Sequence, residues 1–327
     1  MEHLERTRRG RVWTRALGGL ALATAAALLV TSCASGSPSG ESPGPEGSEA
    51  TAGFDLIGGD KLSVIAPAGA MPAIGTEGDE LVGFEAPVFL EVAKRLGLDY
   101  DMTWADFPGG LAAIQADRND VMIGSIAWRA SRAESGLFTD PLYYVPTIFA
   151  QKRGAGIKTI EDLVGKRVGT ASGYYFIDVV QTMPEVDLRI FPDVATTIAE
   201  LGAGRIDVAL LDSTIMVYTA KVRPDLDIEA VKAEGPTEAQ LREHPEWEIF
   251  GPIMAEWYFP KGHEALVEAF NTTIREMYAD GTLVEALKQY GFEDPSEWLT
   301  LDPYWHDRLQ QERRDADRPA DWTLPTL

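Results

Sequence analysis

Asp212 closes the apolar run Ile206–Leu211, and that placement gives it a clear chemical opportunity. Ligands in open α/β sheets gather beyond the carboxyl ends of the strands, so an acid there projects into a cleft. Its competing role is to cap the helix that follows. Arg132 carries a planar fork of donors suited to a carboxylate, against a competing role as a surface arginine. Catalytic groupings fail where they begin. His263-Glu264 opens HEALV, without the second histidine of a zinc-binding helix. Gly169–Gly173 reads GTASG, with no serine at its centre to form a nucleophile elbow. Four histidines and one cysteine make no metal cluster, and no Walker-type glycine loop is present. Neither metal nor cofactor is expected. These residues point to binding rather than turnover.

The single cysteine, Cys33, excludes an intramolecular disulfide, so packing alone must hold the core. Five arginines stand within residues 1–15, and the uncharged run ALGGLALATAAALLV follows. A basic region before an apolar stretch too short for a permanent span reads as an export signal. Val30-Thr31-Ser32-Cys33 then resembles the lipobox of bacterial lipoproteins. That resemblance implies cleavage before Cys33 and fatty acylation of its sulfur, a lipid anchor on the outer face of the cytoplasmic membrane. Arg8-Arg9 lacks the apolar pair that a twin-arginine signal places after it. Residues 34–53 are Gly, Ser, Pro and Glu with almost nothing to bury, a flexible linker of about 25 Å reach. The whole chain carries a formal charge of −22. Loss of residues 1–32 removes five of 29 basic and two of 51 acidic residues, leaving a charge near −25. Such a surface repels phosphate backbones, and no nucleic-acid partner is expected.

Beyond the linker, apolar patterning alternates between periods of two and 3.6. Lys61–Ala66 suits a strand. Phe89, Val92, Ala93 and Leu96 mark one face of a helix, and strands are expected over Leu98–Trp104 and Val121–Ile126. The pattern then restarts. Strands are predicted at Thr147–Lys152, Arg167–Thr170, Leu188–Ile190 and Ile206–Leu211, with helices at Tyr174–Thr182 and Ala195–Gly202 between them. Residues 224–248 are polar and poorly patterned. Phe250–Tyr258 reads as a returning strand. Two helices follow, one with Leu266, Phe270, Ile274 and Met277, the next with Leu283, Leu287 and Tyr290. Alternating strands and helices predict an α/β fold in two lobes, each a mainly parallel sheet flanked by helices. The acidic tail 293–327 is expected to pack on one lobe or to stay partly loose.

Several blocks carry a specific resemblance. ELVGFEAPVFLEVAKRLGL, DFPGGLAAIQADRNDVMIGS and Arg132-AESGLF-T-D-P are similar to consecutive segments of the family 3 extracellular solute-binding proteins. So are TIEDLVGKRVGTASG, GRIDVALLD and NTTIREMYADGTLVEALKQYG, all in order across roughly residues 58–292. The family implies a type II periplasmic-binding-protein-like fold, whose lobes are joined by two crossing strands near Pro146–Ala150 and Phe250–Met254. The organisation expected is a signal peptide over 1–32, lipidated Cys33 and linker over 33–57, lobe 1 over 58–147 and 252–292, lobe 2 over 148–251, and a C-terminal extension over 293–327.

The resemblance also assigns roles. Asp212 receives a ligand amino group, Arg132 grips its carboxylate and Phe107 supplies an aromatic wall. Ser125 and Ala127 turn backbone groups to the cleft, and Gly173 and Tyr174 open the helix facing the carboxylate. This chain departs from the family after the first strand. There Ala66-Pro67-Ala68-Gly69-Ala70-Met71-Pro72 stands where an acid and an aromatic are common, so a lysine-like or arginine-like ligand loses support. Ala127, Trp128 and Arg129 replace small hydroxylated residues, and Trp128, Tyr174 and Phe107 suit an alkylated ammonium by cation–π contact. The implied partners are a small polar zwitterionic solute and an ABC transporter permease, with the receptor a monomer. A sensor subunit, or a dehydratase of the cyclohexadienyl type on the same fold, is the alternative.

Overall fold

The computed structural model describes residues 53–172, 174–288 and 294–327. Cys33, the leader, most of the linker, Gly173 and Tyr290 lie outside them.

The first sheet begins with β1 (Leu62–Pro67), followed by a hairpin of β2 (Gly75–Glu77) and β3 (Glu80–Val82) and by helix α1 (Glu85–Arg95). Next come β4 (Tyr100–Ala105), α2 (Phe107–Gln115), β5 (Val121–Ala127), α3 (Ala130–Ala133), β6 (Leu137–Phe138) and β7 (Tyr143–Val145). The chain then builds a second sheet from β8 (Ile148–Lys152), β9 (Arg167–Ala171), α4 (Ile177–Val180), β10 (Asp187–Phe191) and α5 (Val194–Gly202). That sheet is completed by β11 (Val208–Ala209), α6 (Ser213–Val222) and β12 (Ile228–Lys232). After α7 (Glu238–Glu243), strand β13 (Ile253–Phe259) returns to the first sheet, and α8 (Glu264–Asp280), α9 (Thr282–Lys288) and α10 (Pro303–Asp317) finish the chain.

The first sheet runs β4-β1-β5-β13-β6, with β7 also pairing β13, and the second runs β10-β9-β11-β8-β12. In each, three strands are parallel: β4, β1 and β5, and β10, β9 and β11. The strands that leave and re-enter the first sheet, β8 and β13, pair antiparallel with their neighbours. Both faces of the sheets are covered, as parallel strands require. In β1, Leu62, Val64 and Ala66 enter one apolar cluster with Phe89, Trp257 and Phe270, while Ile65 enters the other with Met122, Ile126 and Tyr258. The period of two along the strand makes that division. Among the described residues no helix is long and apolar enough to cross a membrane.

Two expectations change. Residues 224–248 hold strand β12 and helix α7. IEAVK was unreadable because β12 is an edge strand, and edges carry charges that hide the alternation. The helix expected over Tyr174–Thr182 is confined to Ile177–Val180, so Tyr174 and Tyr175 precede it. The tail packs on the first lobe, the first of the two outcomes expected for it. Trp322, Leu324 and Leu309 join the cluster of Ile126, Trp128 and Phe138, and the Tyr144 hydroxyl donates to the Pro325 carbonyl. The Trp305 ring lies so close to Gly251, just before β13, that a Cβ there would stand 2.3 Å from it.

Candidate functional site

Asp106 caps α2 by accepting from the Gly109 amide at 2.7 Å, which presents Phe107 and Pro108 at the helix entrance. Strand β5 carries an irregularity before its last two residues. Gly124 has φ 107° and Ser125 has φ 62°, a left-handed conformation that a non-glycine side chain rarely adopts. A buried carboxylate holds it there. Glu85, fully buried at the start of α1, accepts from the Gly124 amide at 2.9 Å, the Tyr143 hydroxyl at 2.6 Å and the Trp257 indole at 2.9 Å. Burial pushes its carboxyl above the ordinary glutamate range, against the pull of these donors.

The turn α3 sets Arg132. Its Nη1 donates to the Ala127 carbonyl at 2.7 Å, and its guanidinium stands 5.2 Å from the Phe107 ring centre. The Tyr258 hydroxyl donates to the Arg132 carbonyl at 3.1 Å and Lys261 Nζ to that of Ala133 at 2.7 Å, pinning the turn from behind. Burial lowers the Arg132 pKa, as does the neighbouring charge of Arg129. No carboxylate lies within ion-pair distance of Arg132 among the described residues.

Asp212 follows β11 as the N-cap of α6. Oδ1 alone makes the cap, accepting from the Thr214 amide at 2.9 Å, the Thr214 hydroxyl at 2.5 Å and the Ile215 amide at 3.3 Å. The second oxygen is not used by the cap. Tyr174 stands beside it. Burial, and then the Asp212 charge, push its phenol up to about 12, so it is a neutral donor at physiological pH.

These side chains converge. Phe107, Ser125, Ala127 and Arg132 from the first lobe meet Tyr174 and Asp212 from the second around one cavity of about 500 Å³. Arg132 and Asp212 are the charged members of its lining. Trp128 does not join them. Its side chain is 2% exposed within the lobe core, with the Arg313 guanidinium 5.1 Å over its ring, so the cation it meets belongs to the protein. An alkylated ammonium therefore gains no wall from Trp128. Gly173 lies outside the described residues.

Sequence reasoning missed the lining by Val145, Pro146, Thr147 and Ile253 at the crossings, and by Ser213. Ser213 was readable as the neighbour of Asp212. Glu85 had a signal too, an acid inside the apolar stretch GFEAPVF.

Two α/β lobes joined by two crossings, with one cavity drawing its cation from one lobe and its anion from the other, define a solute-receptor architecture. The model of the bacterial extracellular solute-binding proteins, family 3, matches residues 63–293, and the chain belongs to that family. The L-cystine-binding protein TcyJ of Escherichia coli (strain K12) is 31% identical over 230 residues, covering 68% of this chain and 80% of the relative. The arginine-binding extracellular protein ArtP of Bacillus subtilis (strain 168) is 25% identical over 220 residues, covering 65% and 79%. Among solved structures, an ancestral arginine-binding protein bound to glutamine has a TM-score of 0.56 at 25% identity, covering 71% of this chain and 97% of that one. The unliganded open L-cystine receptor of Neisseria gonorrhoeae has a TM-score of 0.58 at 19% identity, covering 73% and 96%, and shows the same fold. The protein is an extracytoplasmic solute-binding protein, not an enzyme.

Proposed function

We propose that this receptor captures a small zwitterion, an amino acid whose side chain carries no positive charge, by closing its lobes on it, and delivers it to an ABC importer. One observation carries the reading. Arg132 is a half-buried cation without a protein counter-ion among the described residues, and it shares a cavity with an acid from the other lobe. A desolvated cation is costly unless paired, so the site favours a ligand carboxylate there and an ammonium near Asp212. Bridging the two lobes favours the closed form, the usual logic of hinge closure.

The exclusion of cationic side chains rests on charge. The lining offers Asp212 as its one acid, and Arg129, 5.6 Å from the ring of cavity-lining Tyr175, adds a second guanidinium nearby. A lysine or arginine ligand brings a second cation with no acid to meet it. The test is a thermal-shift panel of the common L-amino acids and L-cystine. At least one neutral member should raise the unfolding free energy by about 2.7 kcal/mol at a hundred times its Kd. L-arginine and L-lysine should need at least roughly tenfold higher concentration. A panel without any shift, or one led by L-arginine, overturns the reading.

The receptor is held at the membrane by acylated Cys33 in this proposal, as the lipobox resemblance suggests. Cys33→Ser is expected to abolish labelling by radioactive palmitate and to release the protein from the membrane fraction. A variant that stays membrane-bound contradicts the anchor.

A further inference from the structure

The family match stops at residue 293, yet the tail supplies a charged side chain to the middle of the first lobe. Arg313 of α10 is fully buried. Its Nη2 donates to Glu256 Oε2 at 2.7 Å and to the Thr139 carbonyl at 2.9 Å, and its Nη1 pairs with Asp317. Three rings surround the guanidinium: Trp128 at 5.1 Å, Phe138 at 5.9 Å and Trp322 at 5.9 Å. The tail is tied in again by Trp322, whose indole donates to Asp140 at 2.8 Å, and by Arg318, which donates to the Phe138 carbonyl at 2.8 Å.

Two of these contacts reach the cavity at one remove. Trp128 directly follows Ala127, which lines the cavity and whose carbonyl holds Arg132. Glu256 pairs in register with Ile126 across β13 and β5, and the next pair is Ala255 with Ala127. The Trp128 amide donates to the Met254 carbonyl at 3.1 Å, closing the same ladder. Arg313 thus clamps β5 to β13 at the end where both strands meet the cavity.

As a source of stability alone the cluster is poor. Trp128 Nε1, Glu256 Oε1 and Arg313 Nε are buried without a hydrogen-bond partner. Buried ion pairs with unmet polar atoms are commonly matched or bettered by apolar replacements, and their better-attested use is to fix one arrangement. We propose that Arg313 is a positioning residue for the ligand site: the C-terminal tail, through its guanidinium, holds Trp128 and Glu256 and thereby sets the Ala127–Arg132 turn.

The proposal takes the Arg132 cavity as the ligand site, so its test reads local order without ligand as well as binding. Amide hydrogen exchange is measured on the full mature chain for wild type, Arg313→Lys, and the double variant Glu256→Gln/Arg313→Met. The double variant removes the buried pair together and leaves no lone buried charge. Lysine keeps the charge but not the planar fork. Exchange across 126–133 should rise at least about tenfold in both variants, while α5 in the second lobe exchanges as in wild type. Titration with L-cystine and L-glutamine should show, for whichever binds wild type, a Kd at least about fivefold weaker in both variants. Unchanged exchange across 126–133 in either folded variant overturns the proposal, as does wild-type affinity in both. If neither probe binds wild type, the exchange result still decides the role of Arg313, and the amino-acid reading falls separately on its own panel.

Discussion

Glu85→Ala is expected to lower the unfolding free energy by about 3–6 kcal/mol. The Gly124 amide, the Tyr143 hydroxyl and the Trp257 indole all donate to this one carboxyl in a fully buried setting. Each buried donor left unmet costs about 1–3 kcal/mol. A total stability of about 5–15 kcal/mol leaves little margin, so the midpoint should fall by roughly 10–20 °C in a melt followed by circular dichroism. Glu85→Gln should fall far less, since the Tyr143 hydroxyl can turn to accept from the new amide. A pH series separates the two effects. Because burial raises the folded-state pKa of Glu85 above 4.5, its contribution is fully present below that value and is lost as the pH rises through the folded pKa. That slope should vanish in Glu85→Gln. An alanine variant as stable as wild type would show that the Gly124–Ser125 irregularity holds without the carboxylate.

The second large effect falls on binding. Arg132→Ala is expected to weaken capture by about 2–5 kcal/mol, the usual cost of leaving one member of a buried charge pair alone, or roughly 30-fold and upward in Kd. Its stability should hold, because among the described residues the guanidinium makes a single hydrogen bond to the protein, the one to Ala127. Asp212→Asn supplies the complementary result. Asparagine caps helices as well as aspartate does, so α6 should keep its stability while the charge proposed to meet a ligand ammonium disappears. Calorimetric titration of both variants with the amino acid that shifts wild type reads these losses. Wild-type affinity in Arg132→Ala removes that residue from the site.

How much of this was legible depends on how local each signal was. The two lobes were readable because strands buried on both faces appear as short apolar runs, and Val121–Ile126 and Ile206–Leu211 both have that form. Asp212 was readable because it follows such a run directly. That one of its oxygens alone makes the helix cap was not, since the sequence does not say which oxygen a cap engages. Trp128 misled because an aromatic next to a binding segment suggests a wall, whereas the group that claims its ring, Arg313, is far along the chain in a segment of alternating charges. The tail hid its role for the same reason: α10 buries Leu309 and Arg313 while most of its surface is charged. The loop before α4 was misjudged because Tyr174-Tyr175-Phe176 continues an apolar pattern that the backbone does not follow into a helix. Phe176 stacks on Phe250 instead, a contact no local pattern announces.

Arg132 and Asp212 are proposed to grip the two ends of one zwitterion from opposite lobes. A single calorimetric comparison tests that grip most directly: the amino acid that stabilises wild type, titrated beside its analogue lacking the α-amino group. The analogue is expected to bind wild type at least about tenfold more weakly, and the difference to shrink toward nothing in Asp212→Asn. Equal affinity of wild type for both compounds would contradict it.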